Sequence, residues 1–232
     1  KIYMVPHRIT LPVLWYNTEL LKEAEVNPPV TWPQVLAGAQ RITDKEQGVY
    51  GFSLRGGYGA SRQFEKMMYQ HSGITEMFDD HGNSTANHPL HVALLRTMVS
   101  LYNKHTPESD VSSGYQENLS AFHLESTAML FDSLGSYGEH KKALGDDTFG
   151  AVPFLQSRSG SSPLVSDGVY GFSVFKQSRH PEEAFSLVTY LCQQQASSYY
   201  GDAVGTIPCN RLSLQEQWLA DRPFLEHATG RL

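Results

Sequence analysis

The sequence predicts an α/β fold, and three observations carry that reading. Short apolar runs of strand character recur at residues 2–6, 11–16, 49–54, 127–131, 149–154 and 169–175. Stretches with helical spacing of apolar residues lie between them, the pattern of strands alternating with helices. The 232 residues are 40% hydrophobic and 18% charged, an ordinary globular profile, and no solenoid-length repeat interrupts it.

The elements follow in order. After the first two strands, a short helix is expected from Thr18, and Asn27-Pro28-Pro29 then breaks the chain. Thr31-Trp32-Pro33-Gln34 is a helix start: Thr31 can cap the free amides, Pro33 suits the first turn, and Gln34 can close a capping box. Val35, Leu36, Ala39 and Ile42 continue at helical spacing until about Gly48. A buried strand is expected over 49–54, a glycine-rich loop over 55–59, and a helix over 61–72 with Phe64, Met67 and Met68 inward. Residues 79–84 read as a hairpin turn. Asn87-His88-Pro89 opens a helix whose stripe is Leu90, Leu94, Met98 and Leu101. Residues 117–125 read as helical, and 158–163 as a polar, Ser-rich loop. His180-Pro181-Glu182-Glu183 opens the last long helix, with Phe185, Val188 and Leu191 as its inner stripe and acidic residues favouring its dipole. Gly205-Thr206-Ile207-Pro208 ends the helical run.

Charge excludes several functions. Eighteen basic against 24 acidic residues give a net charge of -6, and no basic run appears. A nucleic-acid backbone and an anionic membrane surface are therefore both disfavoured as partners. No stretch reaches the roughly 20 apolar residues of a membrane helix. Residues 1–6 read as a strand rather than a signal peptide, so a targeting segment is expected upstream of Lys1. Cys192 and Cys209 are too few for a disulfide framework and read as inert thiols.

The motif search returns few chemical signatures. Arg55-Gly56-Gly57-Tyr58-Gly59-Ala60-Ser61 joins a strand to a helix. It is either a plain turn or a loop whose free amides take an anion or a polar oxygen, with Tyr58 offering an aromatic face to a sugar. It matches neither a phosphate loop nor a dinucleotide fingerprint. Among ten histidines, His81, His88 and His91 cluster loosely and read as a solvated surface, and no metal-ligand spacing occurs. Asp79-Asp80-His81-Gly82-Asn83 lacks the spacing of a calcium loop. No nucleophile elbow or marked acid/base pair is present, so no catalytic residue, metal or cofactor is expected. Tyr58, Phe131, Tyr137 and Tyr170 stand at predicted strand ends, where open α/β sheets bind ligands. With Arg8, Asp132 and Asp167 they would line a cleft suited to a neutral, hydroxyl-rich ligand: rings stack, and charged groups take hydroxyl hydrogen bonds.

An ordered set of segments carries a family resemblance. Pro6, Leu14-Trp15-Tyr16-Asn17, Pro28-Pro29-Val30-Thr31-Trp32 and Gly48-Val49-Tyr50-Gly51-Phe52 come first. Phe122 with Ser126-Thr127-Ala128-Met129, Gly150-Ala151-Val152-Pro153 and Gly168-Val169-Tyr170-Gly171-Phe172-Ser173-Val174 follow. Ser178-Arg179-His180-Pro181-Glu182-Glu183-Ala184 and Gly205-Thr206-Ile207-Pro208 complete it. Together they resemble the extracellular solute-binding proteins of ABC importers, of the maltose-binding-protein type. The resemblance implies a type II periplasmic-binding-protein-like fragment, mostly the C-terminal lobe with hinge crossovers, and about a hundred residues before Lys1. Residues 1–10 would be a hinge crossover, 11–165 the second lobe, 166–204 a return to the first lobe, and 205–232 a crossover back into shortened C-terminal helices.

It further implies substrate-binding roles for Arg8 and Thr10 at the hinge, Arg55, Gly57 and Tyr58 in the loop that offers an aromatic to sugar, and Asp132 and Tyr137 at a second cleft loop. Tyr137 would stand there in place of a common tryptophan, and Asp167 and Tyr170 would lie at the return crossover. The implied function is capture of a mono- or oligosaccharide in an interlobe cleft and its delivery to a membrane permease. The implied location is periplasmic or extracellular, lipid-anchored in a Gram-positive cell. Cut strand edges would be open to dimerisation. Two alternatives stay open. One is a binding protein for a polyamine, metal complex or phosphodiester, where Tyr199-Tyr200 resembles paired metal-binding tyrosines, although helix packing is the preferred reading. The other is a carbohydrate hydrolase using Asp132 and Asp167.

Overall fold

The computed structural model describes residues 3–153, 155, 157, 168–222, 224 and 225. Asp167 and the Ser-rich loop at 158–163 lie outside the described residues. The chain opens with strands β1 (Val5–Thr10) and β2 (Pro12–Asn17), followed by helices α1 (Thr18–Glu23), α2 (Trp32–Ile42), α3 (Ala60–Ser72), α4 (Pro89–Leu101) and α5 (Tyr115–His123). Then follow β3 (Met129–Ser133), α6 (Tyr137–Leu144), β4 (Phe149–Val152), β5 (Gly168–Phe172), α7 (Pro181–Leu191), α8 (Gln194–Val204), β6 (Ile207–Pro208) and α9 (Gln217–Ala220). The chain divides into two units. Unit 1 is Lys1–Pro12, Ser133–Glu139 and Ser166–Leu232, and unit 2 is Val13–Asp132 and His140–Val165.

In unit 2, β2 is the middle strand of the order β3-β2-β4 and pairs antiparallel with β4 from Leu14↔Val152 to Asn17↔Phe149. Four consecutive β2 residues, Pro12 to Trp15, are buried, the continuous apolar signature of a covered strand. The α2 start works as its residues dictate. The Thr31 hydroxyl accepts from the Gln34 amide at 3.4 Å, and Gln34 Oε1 accepts from the Thr31 amide at 3.1 Å. The helix then buries Trp32, Val35, Ala39 and Ile42 in a core shared with Phe52, Met67, Leu94, Met98, Met129 and Phe131. Each large aliphatic or aromatic side chain fully removed from water there contributes roughly 1.5–3 kcal/mol.

In unit 1 the sheet order is β5-β1-β6, with both neighbours antiparallel to β1. A bulge between Pro6 and Arg8 interrupts the ladder; beyond it Arg8 pairs with Tyr170 and Thr10 with Gly168. Segment 133–139, expected within the 11–165 span, groups with unit 1 through specific bonds. The Thr10 and Ser133 hydroxyls meet at 2.6 Å, and the Leu134 amide donates to the Leu11 carbonyl at 2.8 Å. The Tyr137 ring packs on Gly205, which is left-handed at φ 79° and has no room for a Cβ against that ring. Residues 205–222, expected to cross back, also belong to unit 1.

Three local expectations are corrected. Residues 49–54 form isolated bridges (Asp44↔Val49, Tyr50↔Thr127, Ser53↔Leu130) rather than a ladder strand. The reason is where their amides go: Gly51 to the Thr43 hydroxyl, Phe52 to the His105 carbonyl, and Leu54 to the Asp110 carboxylate. His91 is not a surface residue but is 1% exposed, its ring nitrogens 2.9 Å from the Thr85 carbonyl and 2.8 Å from the Ser72 hydroxyl. Two hydrogen bonds let a neutral imidazole replace an apolar side chain on the inner stripe of α4. On α7, Val188 is buried, whereas Phe185 is 57% exposed and Leu191 half-buried. Among the described residues nothing covers the Phe185 face.

Candidate functional site

The polar centre of unit 2 is Arg55, at the end of the bridged segment. Its Nη2 donates to Asp132 Oδ1, on β3, at 3.1 Å, and both side chains are largely buried. The guanidinium carbon lies 5.5 Å from the centre of the Tyr115 ring, at the first turn of α5. Arg55 Nε is buried without a hydrogen bond among the described residues. Gln63, one turn into α3, donates to the Phe131 carbonyl and ties α3 to the strand that carries Asp132.

The loop that follows Arg55 is fixed by close backbone contact. Gly56 N–H donates to the Asp110 carbonyl at 2.8 Å and Gly57 N–H to the Ser113 carbonyl at 2.9 Å. A Cβ on Gly56 would meet the Asp110 and Val111 carbonyls, and one on Gly57 the Ser112 carbonyl. Of the two readings of this loop, a plain turn or open amides for an anion or a polar oxygen, these two amides are engaged with backbone carbonyls, and the glycines serve to let two loops touch. Tyr58, at the tip, is 95% exposed. Unit 2 thus presents an exposed ring at Tyr58 and, at Arg55 and Asp132, a buried donor–acceptor pair under Tyr115.

Two buried groups of unit 2 have shifted pKa values. Asp110 is 2% exposed, accepts from the Leu54 amide at 2.6 Å and faces the Asn118 amide group. Burial pushes its carboxyl up to about 7, against the opposing hydrogen bonds from Leu54 and Ser53. His140 is fully buried among Trp15, Phe122 and Phe149, and its Nδ1 is 2.9 Å from His123 Nε2. Burial, and secondarily His123, lower it to about 3. A cavity of about 450 Å³ also opens beside Arg55 and Gly56, walled by Leu54, Phe64, Met67, Met98, Val99 and Tyr102. Its walls hold too few polar atoms to satisfy the hydroxyls of a polyol.

Unit 1 brings together Arg8, Tyr170 and a residue the sequence reading assigned to helix packing. The Arg8 guanidinium lies over the rings of Tyr170, at 4.6 Å, and Tyr200, on α8, at 5.3 Å. Thr10 is buried and bonded to Ser133. Tyr137 is 4% exposed, packed on Gly205 and under the Arg222 guanidinium at 4.5 Å, so its ring is a packing element of unit 1. Asp167 lies outside the described residues. The sequence reading did not single out Tyr115, and it weighed Tyr200 only as a paired metal-binding tyrosine or a packing residue. Gly114-Tyr115, an aromatic directly after a helix-start glycine whose amide donates to Glu117, was the available signal for the first. Cys192 and Cys209 are free thiols, both raised by burial.

Known proteins place the fold and the family. A mannitol-binding protein of Pseudomonas aeruginosa is 26% identical over 236 residues, covering 96% of this chain and 53% of the relative. An ABC transporter extracellular-binding protein of Pyrococcus horikoshii is 26% identical over 217 residues, covering 89% and 46%. The chain spans about half the length of the relatives it matches. The maltose-bound MalE3 of T. maritima superposes with a TM-score of 0.83 at 22% identity over 99% of this chain and 60% of that one. An Agrobacterium vitis solute-binding protein with bound D-mannitol gives 0.75 at 22% identity, over 98% and 57%. The fold is therefore that of part of a type II periplasmic binding protein. Residues 1–196 match the family of bacterial extracellular solute-binding proteins, and the chain belongs to that family.

Proposed function

We propose that this chain is the larger part of the solute-capturing subunit of an ABC importer, and that its solute is a sugar or a sugar alcohol. The observation that carries the reading is the Arg55–Asp132 pair beside Tyr115. A buried ion pair offers a donor and an acceptor of opposite charge in one small space, and its own net charge is zero. That suits vicinal hydroxyls, which donate and accept at once, and gives an ionic ligand no preference. Exposed Tyr58 supplies an apolar ring face of the kind that packs on sugar C–H groups. The mannitol-binding relative and the maltose- and mannitol-bound structures support the same solute class.

The reading includes delivery of the solute to a membrane permease on the extracellular side and no chemistry on the solute. Asp132, the carboxylate a hydrolase would use, has its Oδ1 committed to Arg55. The test is a thermal-shift screen of mannitol, maltose and monosaccharides against the whole polypeptide that carries this chain, with product analysis alongside. A concentration-dependent rise in Tm without turnover is expected, about 2.7 kcal/mol of stabilisation at a hundredfold excess over Kd. Hydrolysed maltose, or a stabilising polyamine with no response to any polyol, would sink the reading.

A further inference from the structure

We infer that Asp110 is a positioning residue of the unit 2 solute site, acting on the solute through Arg55. The inference rests on the reading of Arg55 as a solute contact and names the group that holds it in place.

Arg55 stands just past the end of a segment that has no ladder. The bridge nearest to it is Ser53↔Leu130. Beyond that bridge, one residue grips the backbone on both sides of the arginine. Asp110, in the helical turn Glu108–Val111, accepts from the Leu54 amide on Oδ2 at 2.6 Å. Its own carbonyl accepts from the Gly56 amide at 2.8 Å. The Ser53 side chain also hydrogen-bonds to the carboxylate. Of the four residues from Ser53 to Gly56, three are tied to Asp110, and the fourth is Arg55.

The carboxylate is in turn braced from α5. Asn118 Nδ2 lies 3.4 Å from Asp110 Oδ1, and it donates to the Leu54 carbonyl at 3.0 Å and to the Ser53 hydroxyl. Asn118 stands one turn along α5 from Tyr115, whose ring centre is 5.5 Å from the Arg55 guanidinium carbon. One network in unit 2 therefore joins the Arg55 backbone to the helix whose ring faces its head group. Asp110 is 2% exposed and Asn118 fully buried, so water does not replace a bond lost there. A buried carboxyl lowers stability unless its hydrogen bonds offset the burial, and burial raises this one to about 7. What that unfavourable group secures is geometry. A shift of the backbone at 54–56 is carried to the far end of the long arginine side chain. There the bond to Asp132, and any donor offered to a solute, holds only at distances of about 3 Å.

The experiment follows two readouts in the whole polypeptide that carries this chain. One is the affinity for mannitol and for maltose, by calorimetric titration. The other is the Arg55 Nε–H resonance in nitrogen-edited NMR spectra without solute, identified by its loss in Arg55→Lys. That nitrogen is buried, which slows exchange of its proton with water. Asp110→Ala is expected to move or broaden the resonance and to weaken binding of the sugar about tenfold, the size of one lost hydrogen bond to a carboxylate. Asn118→Ala, which changes no charge, is expected to move the same resonance and to weaken binding about threefold. It carries the test if circular dichroism shows Asp110→Ala to be unfolded. A variant that melts lower while the resonance and the affinity stay at wild-type values overturns the proposal and leaves Asp110 a purely structural tie. Lost affinity with an unmoved resonance overturns it too, because the effect then bypasses Arg55. Affinity unchanged in Arg55→Lys, or no binding of either sugar by the wild type, removes the solute reading itself and the proposal with it.

Discussion

Arg55 and Arg8 are the same residue type in different settings, Arg55 where a bridged segment meets a loop and Arg8 inside β1, and the chain treats them oppositely. In unit 2, Arg55 is buried with Asp132, and the loop beyond it is locked by Gly56 and Gly57 against the 110–113 carbonyls. In unit 1, Arg8 has rings beside it and no counter-ion among the described residues. The difference shows that one guanidinium can be a structural and neutral binding element or a positioned charge, depending only on what lies within 4–6 Å. It also means that the two should fail differently when their partners are removed.

The largest expected effect is at the pair. Asp132→Ala strands Arg55 as an uncompensated buried charge and should cost about 3–5 kcal/mol in denaturant unfolding. The double variant Arg55→Met with Asp132→Leu should recover much of that loss, because both charges leave together. A single variant that unfolds like wild type would mean that Arg55 reaches water and that the contrast with Arg8 is empty.

Next is acid sensitivity, which should reside in unit 2. The folded pKa of His140 is about 3, below its unfolded value near 6.5. Its contribution is fully present above pH 6.5 and is lost as pH falls toward 3, a change on the order of 4 kcal/mol. Asp110 runs the other way. Its folded pKa of about 7 exceeds the unfolded value near 4, so the stability it contributes at low pH is lost as pH rises from 4 to 7. Asp110→Asn should therefore steepen the acid limb that His140 produces. His140→Phe, of similar shape, should flatten it; an unchanged pH profile in that variant would remove the histidine from the account.

How much of this was legible in the sequence depends on how local each cause is. The α2 start could be read from four residues because a capping box is made within one turn. The ordered segments of the family resemblance likewise identified the fold. Segment 49–54 could not be read, since its apolar run looks like a strand while its amides are claimed by Thr43, His105 and Asp110, eight to fifty-six positions away. The contacts of Tyr115 with Arg55 and of Tyr200 with Arg8 escaped for the same reason: a ring found 60 or 192 positions from its cation leaves no spacing to read. Burial of His91 was hidden because its hydrogen-bond partners, Ser72 and Thr85, come from separate elements.

A smaller effect is expected at Arg8. Arg8→Ala removes a part-exposed cation–π contact and should cost about 1 kcal/mol, well below the Asp132→Ala loss, measured under the same conditions. A cost above 3 kcal/mol would place Arg8 in a buried network like that of Arg55 and abolish the distinction between the units.

The smallest stability effect belongs to Tyr58, and it discriminates most sharply. Its ring is 95% exposed on a loop whose backbone is held by its glycine neighbours, so Tyr58→Ala removes almost no buried area. Stability should stay within about 0.5 kcal/mol of wild type. Solute affinity should fall several-fold, because a ring stacking on a sugar face is worth about 0.5–1.5 kcal/mol beyond its area. A side chain that contributes nothing to folding while an ordered loop displays it has a use only outside the fold. If the affinity for every polyol is untouched in Tyr58→Ala, the unit 2 surface is not the solute surface, and the neutral pair at Arg55 must then be explained by packing alone.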